Sequence, residues 1–223
     1  MSDSRGKILD ALRAGRKPFP GAEPPSEYRP MIPRTTADAD GLAAQFVLEA
    51  ERQAARVHRA AGDKQALDTI VALLQDQKCI ASWDPGEIAL PGLFQALQGA
   101  GIEIGEPDDG GMEVGLTGAL AGLAATGSLI LSSGPGTYRT TSLLPAVHIA
   151  VLRESQIVPD LESWFAAQRE GGFAQMRRAS NTVVITGPSR TADIAMELVM
   201  GMHGPRELHV VLVARQAKTE QEG

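Results

Sequence analysis

Apolar positions along the chain follow two rhythms, and the change between them falls near residue 79. Before it they recur every three or four residues, the period of a helix with one buried face. Ile8, Leu9 and Leu12 mark a short amphipathic helix. Leu42, Phe46, Ala50, Ala54 and Val57 mark a longer one, capped by Asp38 or Asp40 and ending at Gly62, and Leu67, Ile70, Val71 and Leu74 mark a third behind Asp63. After it, short apolar runs bounded by Gly, Pro and Ser take over at residues 79–83, 102–104, 128–131, 147–152, 182–186 and 208–213. Their length and β-branched content predict strands buried in a sheet. Helices are predicted between them: one opened by Pro91, one over 161–169, and a small-residue helix over 117–125, where Gly118 and Gly122 permit close approach to a sheet. A last helix, 194–202, is predicted to follow strand 182–186 through the Gly187-Pro188 turn. Alternating strands and helices predict an α/β fold with a mainly parallel sheet flanked by helices. In such folds ligand sites lie beyond the carboxyl ends of the strands.

The punctuation divides the chain into three parts. Residues 1–34 form an arm, a short helix followed by a proline-rich segment with Phe19, Tyr28 and Met31 as anchors for a partner; 35–214 form a single α/β domain; 215–223 form a polar tail. The 223 residues suffice for one full hydrophobic core, and an aromatic content of 4% makes that core aliphatic and finely packed. Residues 114–138 hold no charge and approach the length of a membrane span, but their Gly, Ser and Thr content reads as buried helix and strand, so no transmembrane segment is expected.

Charge and cysteine usage narrow the function classes. A net charge of -6 without a basic block argues against a nucleic-acid surface, since phosphate backbones demand clustered Lys and Arg. Cys79 stands alone, which rules out an intrachain disulfide and an iron-sulfur cluster ligated by this chain's cysteines. Residues 1–4 lack the start of a secretory signal, so a cytoplasmic protein is expected. No two histidines have a metal-binding helical spacing, and no metal is expected.

The candidate chemistry sits in two loops rich in glycines and hydroxyls, each following an apolar strand and each holding an arginine. The first offers Ser132, Gly134, Gly136, Thr137, Arg139 and Thr140; the second offers Gly187, Ser189, Arg190 and Thr191. Backbone amides, hydroxyls and guanidinium forks suit a small carboxylate or other anion. Neither a dinucleotide fingerprint nor a phosphate loop with Gly-Lys-Ser/Thr occurs. Asp193 is a general base or a first-turn complement to the helix dipole. His203, between glycines 201 and 204, is a helix cap or an acid, base or carboxylate ligand. His148 and His209 read as core histidines, and His58 as part of a solvated helix face.

The string Gly187-Pro188-Ser189-Arg190-Thr191-Ala192-Asp193-Ile194, with His203-Gly204-Pro205 and Leu208-His209-Val210, resembles the lactate-utilisation protein C family, whose unit is the LUD domain. Gly134-Pro135-Gly136, Leu143-Leu144-Pro145 with His148-Ile149, and Gln156-Ile157-Val158-Pro159 extend the resemblance over about residues 80–214. It implies a fold like that of sugar-phosphate isomerases and coenzyme A transferases. It further implies a role in oxidising L-lactate to pyruvate as the component without clusters, beside partner subunits that carry iron-sulfur clusters. This sequence has Ala125 and Ala195 where the family often has Glu, so no carboxylate role is carried to those positions. Whether the chain is itself an enzyme stays open. The alternatives are a stand-alone enzyme acting on a sugar phosphate or acyl-coenzyme A, and an assembly subunit with no active site; a homo-oligomer fits any of them.

Overall fold

A computed structural model describes residues 4–15, 38–106, 109–192 and 198–215, in two units, 1–31 and 32–223. The proline-rich segment, the tail beyond 215, and Asp193 with Ala195 lie outside the described residues. In the first unit, α1 (Ser4–Ala14) buries none of its residues and leaves Ile8, Leu9 and Leu12 exposed.

The second unit begins with α2 (Ala39–Arg52), capped by Asp38, whose carboxylate accepts the Gly41 N–H at 2.6 Å. Phe46 and Ala50 on its inner face are fully buried. The helix stops at Arg52 instead of running to Gly62, because Ala54 takes up φ 64° and turns the chain into β1 (Arg56–Ala60). Val57 and His58 therefore belong to a strand. Then follow α3 (Asp63–Leu73), β2 (Cys79–Ser82), α4 (Leu93–Gly99) and β3 (Glu103–Ile104).

Residues 117–125 form no helix: they are divided between β4 (Val114–Gly118) and β5 (Ala121–Leu123). The small residues do serve close approach, as expected, but strand against core. A Cβ on Gly122 would come within 2.7 Å of Leu152 and 3.0 Å of Phe46. The chain continues through β6 (Ser128–Ser133), α5 (Thr140–Leu143), β7 (Val147–Arg153), β8 (Ile157–Val158), α6 (Leu161–Glu170), α7 (Ala174–Arg178) and β9 (Asn181–Ile185). It ends with β10 (Arg190–Ala192), β11 (Leu198–Met200) and β12 (Glu207–Val213).

Six strands form one parallel sheet in the order β1-β12-β7-β4-β2-β3. Its centre is buried on both faces. Leu116, Ile149, Val210, Val211 and Leu212 are each at most 1% exposed, and Phe46, Ile70 and Leu74 cover them. At about 1.5–3 kcal/mol per fully buried aliphatic side chain, this layer dominates stability. A second sheet, β8-β5-β6-β9, pairs β6 antiparallel to both β5 and β9, and its outer face is covered by Trp164 of α6. The arrangement is α/β, mainly parallel, as the sequence predicts. Of the helix predicted over 194–202, residues 194–197 lie outside the described residues and 198–200 form instead a strand, β11, antiparallel to β10 in the register Arg190↔Met200 and Ala192↔Leu198.

Candidate functional site

The first loop is divided between two tasks. Gly134 and Thr137 close a tight turn, and Gly136, at φ 76°, lies so close to Asp84 that a Cβ would come within 2.9 Å of its carboxylate. The Gly136 carbonyl accepts the Asp84 N–H at 2.8 Å, and the Tyr138 carbonyl accepts the Trp83 indole N–H at 3.1 Å. These bonds fix the turn to the end of β2. The chain then enters α5, which lies on β4 at Gly115, where a Cβ would stand 1.9 Å from the Thr141 carbonyl oxygen. That seat carries Arg139, Ser142 and Leu143 alongside β9.

The second loop is held to the end of α2. Gly187, at φ 78°, packs against the Gln53 carbonyl, 2.2 Å from where its Cβ would be, and the Arg190 guanidinium donates to the same carbonyl. Arg190 thus supplies a donor to the carbonyl of Gln53, the residue that caps the α2 C-terminus. Ser189 holds the segment leading to β12: its N–H donates to the Pro205 carbonyl at 2.8 Å, its carbonyl accepts the Gly201 N–H at 2.9 Å, and its hydroxyl accepts the His203 N–H at 3.3 Å.

Between these pieces lies a cavity of about 340 Å³ whose polar lining comes from Arg139, Ser142, Thr186, Ser189, Arg190 and His203, with Leu143 and Val183, Val184 and Ile185 as its apolar wall. No Asp or Glu is among its described lining residues, and the Arg139 side chain makes no hydrogen bond or ion pair among the described residues. The two arginines and His203 therefore meet, as do both loops. Gly187 lines the cavity too, whereas Ser132, Gly134, Gly136, Thr137, Thr140 and Thr191 do not.

Its position differs from the expectation for parallel sheets. Ser142 and Leu143 precede β7, His203 and Pro205 precede β12, and Gln53 precedes β1, so the cavity opens at the amino ends of the parallel strands. The reason is topological: both loops leave strands of the second sheet, not of the parallel one. At the carboxyl ends, Arg153 is engaged internally by Asp63 at 2.9 Å and the Ala89 carbonyl at 2.7 Å.

The histidines are placed by the sheet. His148 is 1% exposed, with Nε2 2.8 Å from the Thr117 hydroxyl, and burial lowers its pKa to about 4. His209 is also buried, but His58 is no solvated helix face. Its Nε2 lies 3.0 Å from His209 Nδ1 and the rings stack at 5.2 Å, while Glu207 stands 3.4 Å from His209 and 2.6 Å from Arg56. Desolvation foremost, then the neighbouring positive charges, lowers the pKa of His58; desolvation lowers that of His209 against the opposing pull of Glu207. Reading His58 as helical hid this cluster, since Arg56 and His58 reach β12 only through the parallel register of Arg56 with His209. Among the described residues, no group of three His, Cys, Asp or Glu could hold a metal ion, and no helix is long and apolar enough to cross a membrane.

The LUD domain pattern matches residues 43–213 of this chain. A lactate utilization protein C of Halalkalibacterium halodurans is 31% identical over 161 residues, 68% of this chain and 70% of that protein. One from Geobacillus sp. is 40% identical over 100 residues, 45% and 42% of the two chains. An uncharacterized protein of Neisseria meningitidis serogroup B is 34% identical over 102 residues, 46% and 42%. These last two alignments span less than half the relatives' length. The crystal structure of a DUF162 family protein from Deinococcus radiodurans superposes with a TM-score of 0.57, covering 80% of this chain and 99% of that one, at 23% identity, a likeness of fold.

Proposed function

We propose that this chain, which belongs to the LUD domain family, serves the oxidation of L-lactate to pyruvate by holding a small carboxylate in the cavity between Arg139 and His203. The observation that carries this reading is the Arg139 guanidinium, which has no hydrogen-bond or ion-pair partner among the described residues and faces a cavity whose described lining holds no acidic residue. A carboxylate would take both arms of its fork. Ser142, whose hydroxyl donates to the Arg139 carbonyl at 3.2 Å, would steady the backbone that presents Arg139, and His203 would face the substrate hydroxyl as acid or base. Arg190 would contribute charge at a distance, because its own bond goes to Gln53. Lactate oxidation releases two electrons and two protons, and the electrons would pass to iron-sulfur clusters held by partner subunits. The relatives named for lactate utilization support the pathway.

Titration calorimetry with L-lactate is the direct test. Arg139→Ala should weaken binding roughly 10- to 100-fold, the weight of a charge-assisted pair of about 1.5–3 kcal/mol. Removal of the gene should also slow growth on L-lactate. Unaltered growth in a strain without a second copy, or lactate binding indifferent to Arg139, would refute the proposal.

A further inference from the structure

Five consecutive residues, 183–187, line the cavity, and 183–185 of them belong to β9. Side chains alternate between the faces of a strand, so an unbroken run of lining residues means that the cavity follows the edge of β9 rather than one of its faces. Among the described residues β9 is the outermost strand of its sheet, paired with β6 alone, and none of its residues is fully buried. The direction of its free backbone groups follows from the bonds of β6. The Ile130 carbonyl accepts the Leu120 N–H on the β5 side at 2.8 Å, and the Ser133 carbonyl accepts the Ser180 N–H on the β9 side at 2.8 Å. Odd-numbered residues of β6 therefore bond β9, in register with Asn181, Val183 and Ile185. Thr182 and Val184 turn their N–H and C=O groups outward, those of Val184 along the cavity and those of Thr182 on the same edge just before it. Opposite this edge stand Arg139 and Leu143, the latter 38% exposed, and Val184 itself is 48% exposed.

We propose that this slot is a strand-acceptor site: an extended segment of another protein adds to the free edge of β9 and lays an Asp or Glu side chain on Arg139. The backbone ladder would supply affinity and the carboxylate would set the register. Charge selects the occupant. The chain as a whole carries -6, yet the slot holds two arginines and no acidic residue among its described lining, so an acidic strand is its complement. A second copy pairing through the same edge would bring two Arg139 side chains into one slot without a counter-charge. The inference rests on the anion-holding role of Arg139 proposed above and adds a polypeptide as the carrier of the anion.

Random ten-residue peptides displayed on phage and selected on the purified full chain test this. Enriched sequences should alternate apolar or β-branched residues and carry Asp or Glu at one fixed position. A synthetic copy should slow hydrogen exchange at Thr182 and Val184 at least tenfold. Thr182→Pro, which removes an outward amide from an edge strand, should weaken that peptide at least tenfold and leave L-lactate titration unchanged. Val184→Pro should also weaken the peptide, and Arg139→Glu should convert the selected acidic position to Lys or Arg. Peptides without a fixed acidic position, peptides indifferent to both prolines, or a dimer of the chain that Thr182→Pro dissociates would each overturn the proposal. Peptide binding that meets these criteria in a chain that fails to bind lactate would uphold it while removing the lactate reading.

Discussion

At the scale of single residues, the segment 187–190 is chiefly a fastening. Gly187 has the backbone of a left-handed turn and no room for a methyl group, since the Gln53 carbonyl occupies that space. Gly187→Ala should cost roughly 2–4 kcal/mol, from the positive φ and the clash together, and appear as a lower Tm in thermal denaturation. An unchanged Tm would mean that the contact with α2 yields without cost. The Arg139 side chain, by contrast, makes no hydrogen bond or ion pair among the described residues. Its removal should alter binding with little effect on Tm, so the two kinds of residue can be told apart by comparing one property with the other.

At the scale of elements, α5 is the part that couples fold to site. It carries Arg139 to its position by resting on Gly115, with the Thr141 hydroxyl group buried beneath it. Gly115→Val should lift α5 from β4, lower stability by roughly 2–4 kcal/mol and weaken lactate binding at least tenfold; calorimetry of binding and of unfolding on one variant checks both. The parallel strands were legible in the sequence because runs such as 147–152 and 208–213 are apolar throughout, as strands buried on both faces must be. β4 was not, because its five residues are all buried and include two glycines, leaving no alternation to separate a strand from a small-residue helix. β1 was hidden by a helical break at Ala54, a non-glycine residue that gives no sign of a positive φ. The candidate loops were legible as polar text between apolar strands. Their tasks were not, since Gln53, the partner of Gly187 and Arg190, lies over a hundred positions earlier, at a separation of 137 for Arg190.

At the scale of the whole molecule, the buried histidines make stability depend on acidity. His148 has a folded pKa of about 4, below the ordinary value of 6.5 that it regains on unfolding. Between those values the unfolded chain binds the extra proton, so stability rises with pH across this window and is lost as pH falls through it. For a fully buried ring the change is about 3 kcal/mol, and His58 and His209, both lowered, act in the same direction. Urea midpoints should therefore decline from pH 7 to pH 4, and His148→Gln should flatten much of that decline. A midpoint constant over this range would show that His148 is solvated in the native state.

The order of strands also sets a timetable. Among the described residues β1 has a single neighbouring strand, β12, and their contact ties Arg56 to Glu207, 151 positions later. During synthesis, at ribosomal rates of roughly 5–20 residues per second, the first strand would wait on the order of ten seconds for the strand that seats it. Through that interval α3, which packs on both β1 and β12, lacks the second of those strands. A nascent chain of this kind is a natural client for chaperones, and a stop codon before residue 207 would take away the second strand of the sheet and leave β1 without its ladder.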